Sequence, residues 1–224
     1  MQIKEFIAEF IGTFALVFIG AGAVLVNGLT NGGVALVGIA LAHGLVLMTM
    51  IYSLAHISGA HFNPAVTIAM LANKRIQLSN ALSYIVAQLL GASVAGLLLL
   101  WLYPSANGEQ LYGFPINLSF GFGILLEAVL TFFLVLTIYG VAVNKQVQSG
   151  IFGLAIGSVL IYDILMGGTQ TGAAMNPARA FGPALASGIW SPQIIYWVGP
   201  VVGALVASFV YEYLFLREEK SKRK

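Results

Sequence analysis

The chain contains no cysteine, which excludes disulfides and thiolate metal sites. Charge is almost as scarce: 8% of the 224 residues are charged, against about 25% in an ordinary soluble domain. A soluble protein so poor in charge could not cover its surface with polar groups. The sequence also lacks a phosphate-binding loop, a metal-ligand cluster and a Ser–His–Asp set at credible spacing. Neither an enzyme nor a cofactor or metal site is expected from it. Net charge is +2, and residues 217–224 hold most of the positive excess. A short basic tail on so apolar a chain fits membrane headgroups rather than nucleic acid.

What the chain has in abundance is apolar residues, 59% of the total, arranged in long runs. Residues 34–55 contain one histidine, His43, and no Asp, Glu, Lys or Arg; residues 80–103 contain none of the five. About 20 such residues cross the hydrocarbon core of a bilayer, and backbone satisfaction in lipid makes the crossings helical. Six spans are predicted, at 5–26, 34–56, 79–103, 118–141, 150–167 and 193–216. The first shows no small-residue cleavage pattern, so it reads as a retained helix rather than a signal peptide. With the N-terminus inside, Lys4, Lys74, Arg75, Lys145, Arg217, Lys220, Lys222, Arg223 and Lys224 all fall on the cytoplasmic side. Only Arg179 is left over. The expected location is therefore the cell membrane, multi-pass, with both termini cytoplasmic.

The connections 56–78 and 168–192 do not read as surface loops. Each contains an apolar segment, 63–72 or 176–186, too short to cross. Ten helical residues rise about 15 Å, roughly half of a 30 Å core. Each follows glycine-containing sequence predicted to be non-helical, Ile57-Ser-Gly-Ala-His61 and Gly167-Gly-Thr-Gln-Thr-Gly172. These are two re-entrant half-helices, and irregular backbone at that depth must line a watery cavity or be buried in protein.

The chain also repeats itself. Glu9-Phe-Ile-Gly-Thr13-Phe-Ala-Leu-Val17 parallels Glu127-Ala-Val-Leu-Thr131-Phe-Phe-Leu-Val135, and Asn63-Pro-Ala65 parallels Asn176-Pro-Ala178. Three full crossings per copy put the second copy into the membrane inverted. The whole chain, 1–224, thus reads as one transmembrane channel domain: repeats 1–103 and 118–224, joined by a polar external link, 104–117.

Asn is a favoured helix N-cap and Pro suits the first helical position, so one Asn-Pro-Ala marks only a well-started helix. Two copies, each opening a half-span, bring two helix N-termini together near the bilayer centre. Their positive dipole ends oppose cations. The two side-chain amides offer donors to a passing oxygen. A water held by both keeps its own protons away from acceptors there, which interrupts a proton wire. Glu9 and Glu127, inside spans, read either as ion relays or as acceptors for the exposed backbone of a re-entrant loop. Their symmetric placement favours the second role. Asp163 sits near the outer end of its span, where hydration is expected.

The segments Ser58-Gly-Ala-His-Phe-Asn-Pro-Ala-Val-Thr67 and Gly172-Ala-Ala-Met-Asn-Pro-Ala-Arg-Ala-Phe-Gly-Pro183, with the repeated glutamates, resemble the aquaporins of the major intrinsic protein family over essentially the whole chain. The likeness is to the water-channel branch, with a prokaryotic source expected. It implies an aquaporin-like all-α fold of six transmembrane helices plus two half-helices, one pore per subunit and a homotetramer. It implies that Arg179 lines the narrowest point near the outer mouth, with His43, Ile164 and Ala173 completing that constriction, and that His61 lies near the inner pore. His43 with Ile164 and a small residue is similar to plant vacuolar-membrane members, which pass water with some urea or ammonia. Glycerol facilitators of the family carry Asp where this chain has Ala180, and a non-aromatic pair where it has Tyr196-Trp197. Both departures favour water over glycerol, with ammonia, urea and glycerol as the other candidate solutes. A gradient-coupled secondary transporter is the competing class, since inverted repeats occur there too; it requires a coupling-ion site and alternating access.

Overall fold

Where the sequence runs apolar for about 20 residues, the structure forms a helix of that length. A computed structural model describes residues 3–115, 117–144, 146–147 and 150–216. Lys145 and residues 217–224, which carry much of the orientation reading, lie outside the described residues. The elements are α1 (Ile3–Leu29), α2 (Ala35–Ser58), α3 (Pro64–Ala72), α4 (Leu78–Leu102), α5 (Gly108–Tyr112), α6 (Phe120–Ile138), α7 (Phe152–Thr171), α8 (Pro177–Ser187) and α9 (Gln193–Val210). After α6 and α9 the chain widens into π-helical turns, Tyr139–Val143 and Tyr211–Leu216. Six helices among the described residues are long and apolar enough to cross a membrane. Helices α3 and α8, of 9 and 11 residues, are not.

The polarity of the bundle is reversed relative to a soluble protein. Leu82, Leu125, Leu154 and Met166 are exposed on its outside, while Glu9, His43, Gln88, Glu127 and Arg179 are buried within. Lipid tails supply no hydrophobic drive for helix association, so close van der Waals packing must hold the bundle together. Glycines provide the approach. A Cβ on Gly91 of α4 would stand 2.4 Å from the Phe10 carbonyl of α1, and one on Gly203 of α9 would stand 2.0 Å from the Ala128 carbonyl of α6. The pairs α1–α4, α6–α9 and α2–α7 pack most extensively, and α8 lies against α4.

Three expectations need correction. The stretch 167–171 is helical, and α7 ends only where Gly172 takes a φ of 84°. Gly167 and Gly168 serve packing rather than breakage: Cβ atoms there would fall 2.7 Å from Leu130 and 2.8 Å from Leu36. Likewise Ile57 and Ser58 belong to α2, which closes at Gly59. Asp163 on α7 is buried rather than hydrated; it is 2% exposed, and its Oδ2 has no hydrogen-bond partner among the described residues. The link 104–117 holds a short helix with a reciprocal Asn107–Gln110 cap, and it buries Leu111, Tyr112 and Phe114.

Candidate functional site

Two loops, 59–63 and 172–176, carry the site. Both contain non-glycine residues in the left-handed region: Ala60 (φ 54°) and Phe62 (φ 50°) in the first, Ala173 (φ 45°) and Met175 (φ 51°) in the second. Such residues cost about 1–3 kcal/mol each and persist only where the surroundings fix them. A buried carboxylate fixes each loop. Glu9 accepts hydrogen bonds from Ser58 Oγ (2.7 Å), His61 N (2.9 Å), Phe62 N (2.7 Å) and Gln88 Nε2 (2.8 Å). Glu127 accepts from Thr171 Oγ1 (2.7 Å), Ala174 N (2.9 Å) and Met175 N (2.7 Å). A phenol finishes each loop's start: Tyr84 donates to the Ser58 carbonyl at 2.8 Å, and Tyr196 to the Thr171 carbonyl at 2.7 Å.

At the loop ends the two asparagines cross. Asn63 Oδ1 caps α3 by accepting from Ala65 N at 2.9 Å, and Asn176 Oδ1 caps α8 by accepting from Ala178 N at 2.9 Å. Asn63 Nδ2 donates to the Met175 carbonyl at 2.8 Å, while Asn176 Nδ2 donates to the Phe62 carbonyl at 2.9 Å. A carboxamide has two N–H donors. One on each asparagine is thus committed to the opposite loop, and one remains. Both residues line a cavity of about 760 Å³ whose wall is mostly apolar, built of Leu, Ile, Val, Ala, Met and Phe. The cavity also touches His61 and His56, Arg179 at one end, and Arg75 and Asn144 at the other.

At the first of these ends Arg179 Nε donates to His43 Nε2 at 2.8 Å. His43 Nδ1 lies 2.8 Å from the Ile39 carbonyl, which can only accept. His43 is therefore the neutral Nδ1–H tautomer, with its other nitrogen occupied by the arginine. The guanidinium carbon stands 4.7 Å above the Phe114 ring, within cation–π range, and Nη1 has no protein partner among the described residues. Ile164 and Ala173 are buried in one shared apolar cluster, and neither borders the 760 Å³ cavity, whose lining stops at Arg179. Of the four residues expected together, the structure thus joins Arg179 directly to His43.

His61 belongs to a further network. Thr67 Oγ1 donates to the Asn63 carbonyl at 3.1 Å and accepts from Gln88 Nε2 at 3.0 Å. With its one proton so committed, Thr67 can only accept from His61 Nδ1, 3.1 Å away. Sequence reasoning missed Gln88, although a lone buried amide in a charge-free span was a readable signal. It also missed Phe114, for which an aromatic in a loop gave none.

Comparison with known proteins agrees in length and shape. The sequence profile of the Major intrinsic protein family matches residues 1–211. Aquaporin TIP4-4 of Zea mays is 40% identical over 222 residues, 96% of this chain and 88% of that protein. Aquaporin-4 of Mus musculus is 41% identical over 229 residues, 99% of this chain and 70% of that one. The X-ray structure of the aquaglyceroporin from Plasmodium falciparum superposes with a TM-score of 0.82 at 29% identity, covering 99% of this chain and 100% of that chain. These relatives are plant, mammalian and protozoan, and lend no support to the expected prokaryotic source.

Proposed function

Because the chain belongs to the Major intrinsic protein family, whose members are passive membrane channels for water and small solutes and not enzymes, we propose that it conducts water and small uncharged solutes while excluding protons and ions. One observation carries this reading: Asn63 and Asn176 cross onto each other's loops and each keep one donor for the cavity. Two donors side by side hold a single water by its oxygen. The apolar wall around them offers that water's own hydrogens no acceptor, so a hydrogen-bonded proton wire is cut there. The N-termini of α3 and α8 each contribute about half a positive charge at the same spot, which repels cations.

In this reading Arg179, His43, Ile164 and Ala173 form the selectivity constriction. Arg179 brings a fixed charge to the cavity wall, and His43 and Phe114 hold it to one side. His61 serves the inner pore, and Glu9 and Glu127 support the loops. Ala180 and the Tyr196-Trp197 pair favour water over glycerol, and ammonia and urea are the next candidates by size. The two halves, 1–103 and 118–224, form an inverted repeat within one channel domain, and the chain assembles as a homotetramer in the cell membrane with both termini cytoplasmic. The duplicated loop chemistry supports the repeat, the single side that nearly every basic residue shares when the N-terminus is inside supports the orientation, and the family likeness supports the tetramer.

The test is osmotic shock of liposomes containing the protein, followed by stopped-flow light scattering. Faster shrinkage than empty liposomes, a low activation energy, no proton leak and no requirement for an ion gradient are expected. Shrinkage equal to that of empty liposomes would overturn the reading. Dependence on a proton or sodium gradient would replace it with a coupled transporter.

A further inference from the structure

The cavity's far mouth, opposite Arg179, carries a cluster that the transport reading leaves unused. Helices α6 and α9 both end there in π-helical turns, a rare geometry concentrated at functional positions. The rings of Tyr139 and Tyr211, which begin the two turns, lie 6.1 Å apart. The chain leaving α3 is tied to both. Asn73 Nδ2 donates to the Tyr139 hydroxyl at 3.0 Å. Arg75 Nε donates to Glu212 Oε2 at 3.1 Å, and Arg75 Nη2 donates to the same oxygen. The Arg75 guanidinium lies 5.6 Å above the Tyr139 ring. Asn144 Nδ2 donates to the Tyr211 hydroxyl at 3.2 Å.

Arg75 is at once a partner of this cluster and a wall of the cavity, beside Val143, Asn144 and Val147. Its side chain is 31% exposed and that of Glu212 is 18% exposed. The guanidinium therefore has room to leave its place, and the mouth is the open space next to it. We propose that Glu212 is a positioning residue for transport: it parks the Arg75 guanidinium on Tyr139 at the rim, clear of the solute path. Released, the guanidinium lies across the mouth and narrows it. The inference rests on the channel reading above. A partly exposed ion pair biases a side chain between two positions by roughly fivefold at most, which suits a device that trims flux rather than one that shuts the channel.

Proteoliposomes test it, with water flux normalised to folded protein by size-exclusion chromatography. Glu212→Gln removes the charge that holds Arg75, and water flux is expected to fall measurably, by up to about fivefold, the ceiling set by that bias. Arg75→Ala removes the blocking group, and its flux is expected at or above wild type. The double variant should match Arg75→Ala, because nothing is left to release. Raising the salt on the Arg75 side screens the pair, and should slow the wild type and leave Arg75→Ala unchanged. A pair that merely fastens α3 to α9 predicts the reverse: a double variant no faster than Glu212→Gln. That result, or a Glu212→Gln flux equal to wild type, would overturn the proposal. A wild-type protein that conducts nothing would overturn the channel reading first, and this inference with it.

Discussion

The loop entering α3 and the loop entering α8 share one frame and differ in what fills it. In each, a buried glutamate accepts two consecutive backbone N–H groups and a hydroxyl. In each, a tyrosine from the last long helix of its half donates to the residue bearing that hydroxyl. Those tyrosines, Tyr84 and Tyr196, set the correspondence: four residues further on, Gln88 in the first half stands opposite Pro200 in the second. Three residues after each asparagine, Val66 stands opposite Arg179. The first loop closes its polar groups upon themselves through Gln88, Thr67 and His61. The second has Pro200, Ala180 and Ala174 in those places, and carries the charge that meets the cavity. The frame is thus duplicated because the geometric problem is the same twice. The chemistry is single: of the two loop-and-half-helix units, only the second brings a charged side chain, Arg179, to the cavity wall beside its asparagine.

The largest effect is expected from removing either glutamate, which tests whether the frames are equivalent. Each buried donor left unpaired costs about 1–3 kcal/mol, so Glu9→Ala, which strands four donors, loses about 4–12 kcal/mol and Glu127→Ala, which strands three, about 3–9 kcal/mol. Neither variant should yield folded protein by size-exclusion chromatography in detergent. A channel that tolerates one replacement and not the other would break the comparison.

Next in size is a thiol placed in the second loop. The cysteine-free wild type should resist mercuric chloride, and Ala173→Cys should lose most of its water flux to it and regain it with a reducing thiol. Ala173 is fully buried and off the wall of the 760 Å³ cavity, so block of this variant would place it on a path that continues past that cavity, and an insensitive variant would remove it from the constriction.

A smaller change follows from erasing the asymmetry itself. Arg179→Val makes the second loop resemble the first at this position. A cation leak raised by about tenfold, the consequence of about 1.4 kcal/mol less barrier, should appear in a potassium-flux assay. Unchanged cation exclusion in folded protein would take Arg179 out of the selectivity role.

The smallest effect separates Gln88 from Pro200. Gln88→Leu deprives both Glu9 and Thr67 of a donor and should cost about 1–3 kcal/mol in a detergent thermal melt. Pro200→Ala leaves every hydrogen bond of the second loop in place and should shift stability by less than about 1 kcal/mol. Equal losses would mean that the two positions do the same work.

Much of this was legible in the residues because it is local. Hydrophobic length alone marked the six long helices, whose observed ends lie within a few residues of the expected ones. Asn-Pro-Ala marked both half-helices, α3 and α8, because capping by an Asn side chain and a proline at the first turn are decided within four residues. What the sequence could not decide depends on distant partners. Gly167 and Gly168 read as breakers, yet α7 runs through them because Leu130 and Leu36 occupy the space a side chain would need. Asp163 read as hydrated, yet the packing of α7 into the bundle leaves it 2% exposed. Phe114 lay in a link judged polar, and only the return of that link over Arg179 gave it a partner. That His43 Nε2 serves as an acceptor likewise required Arg179, 136 residues away in sequence, to come within 2.8 Å. Span length and helix starts are set by neighbours along the chain, whereas which donor meets which acceptor is set only when the bundle closes.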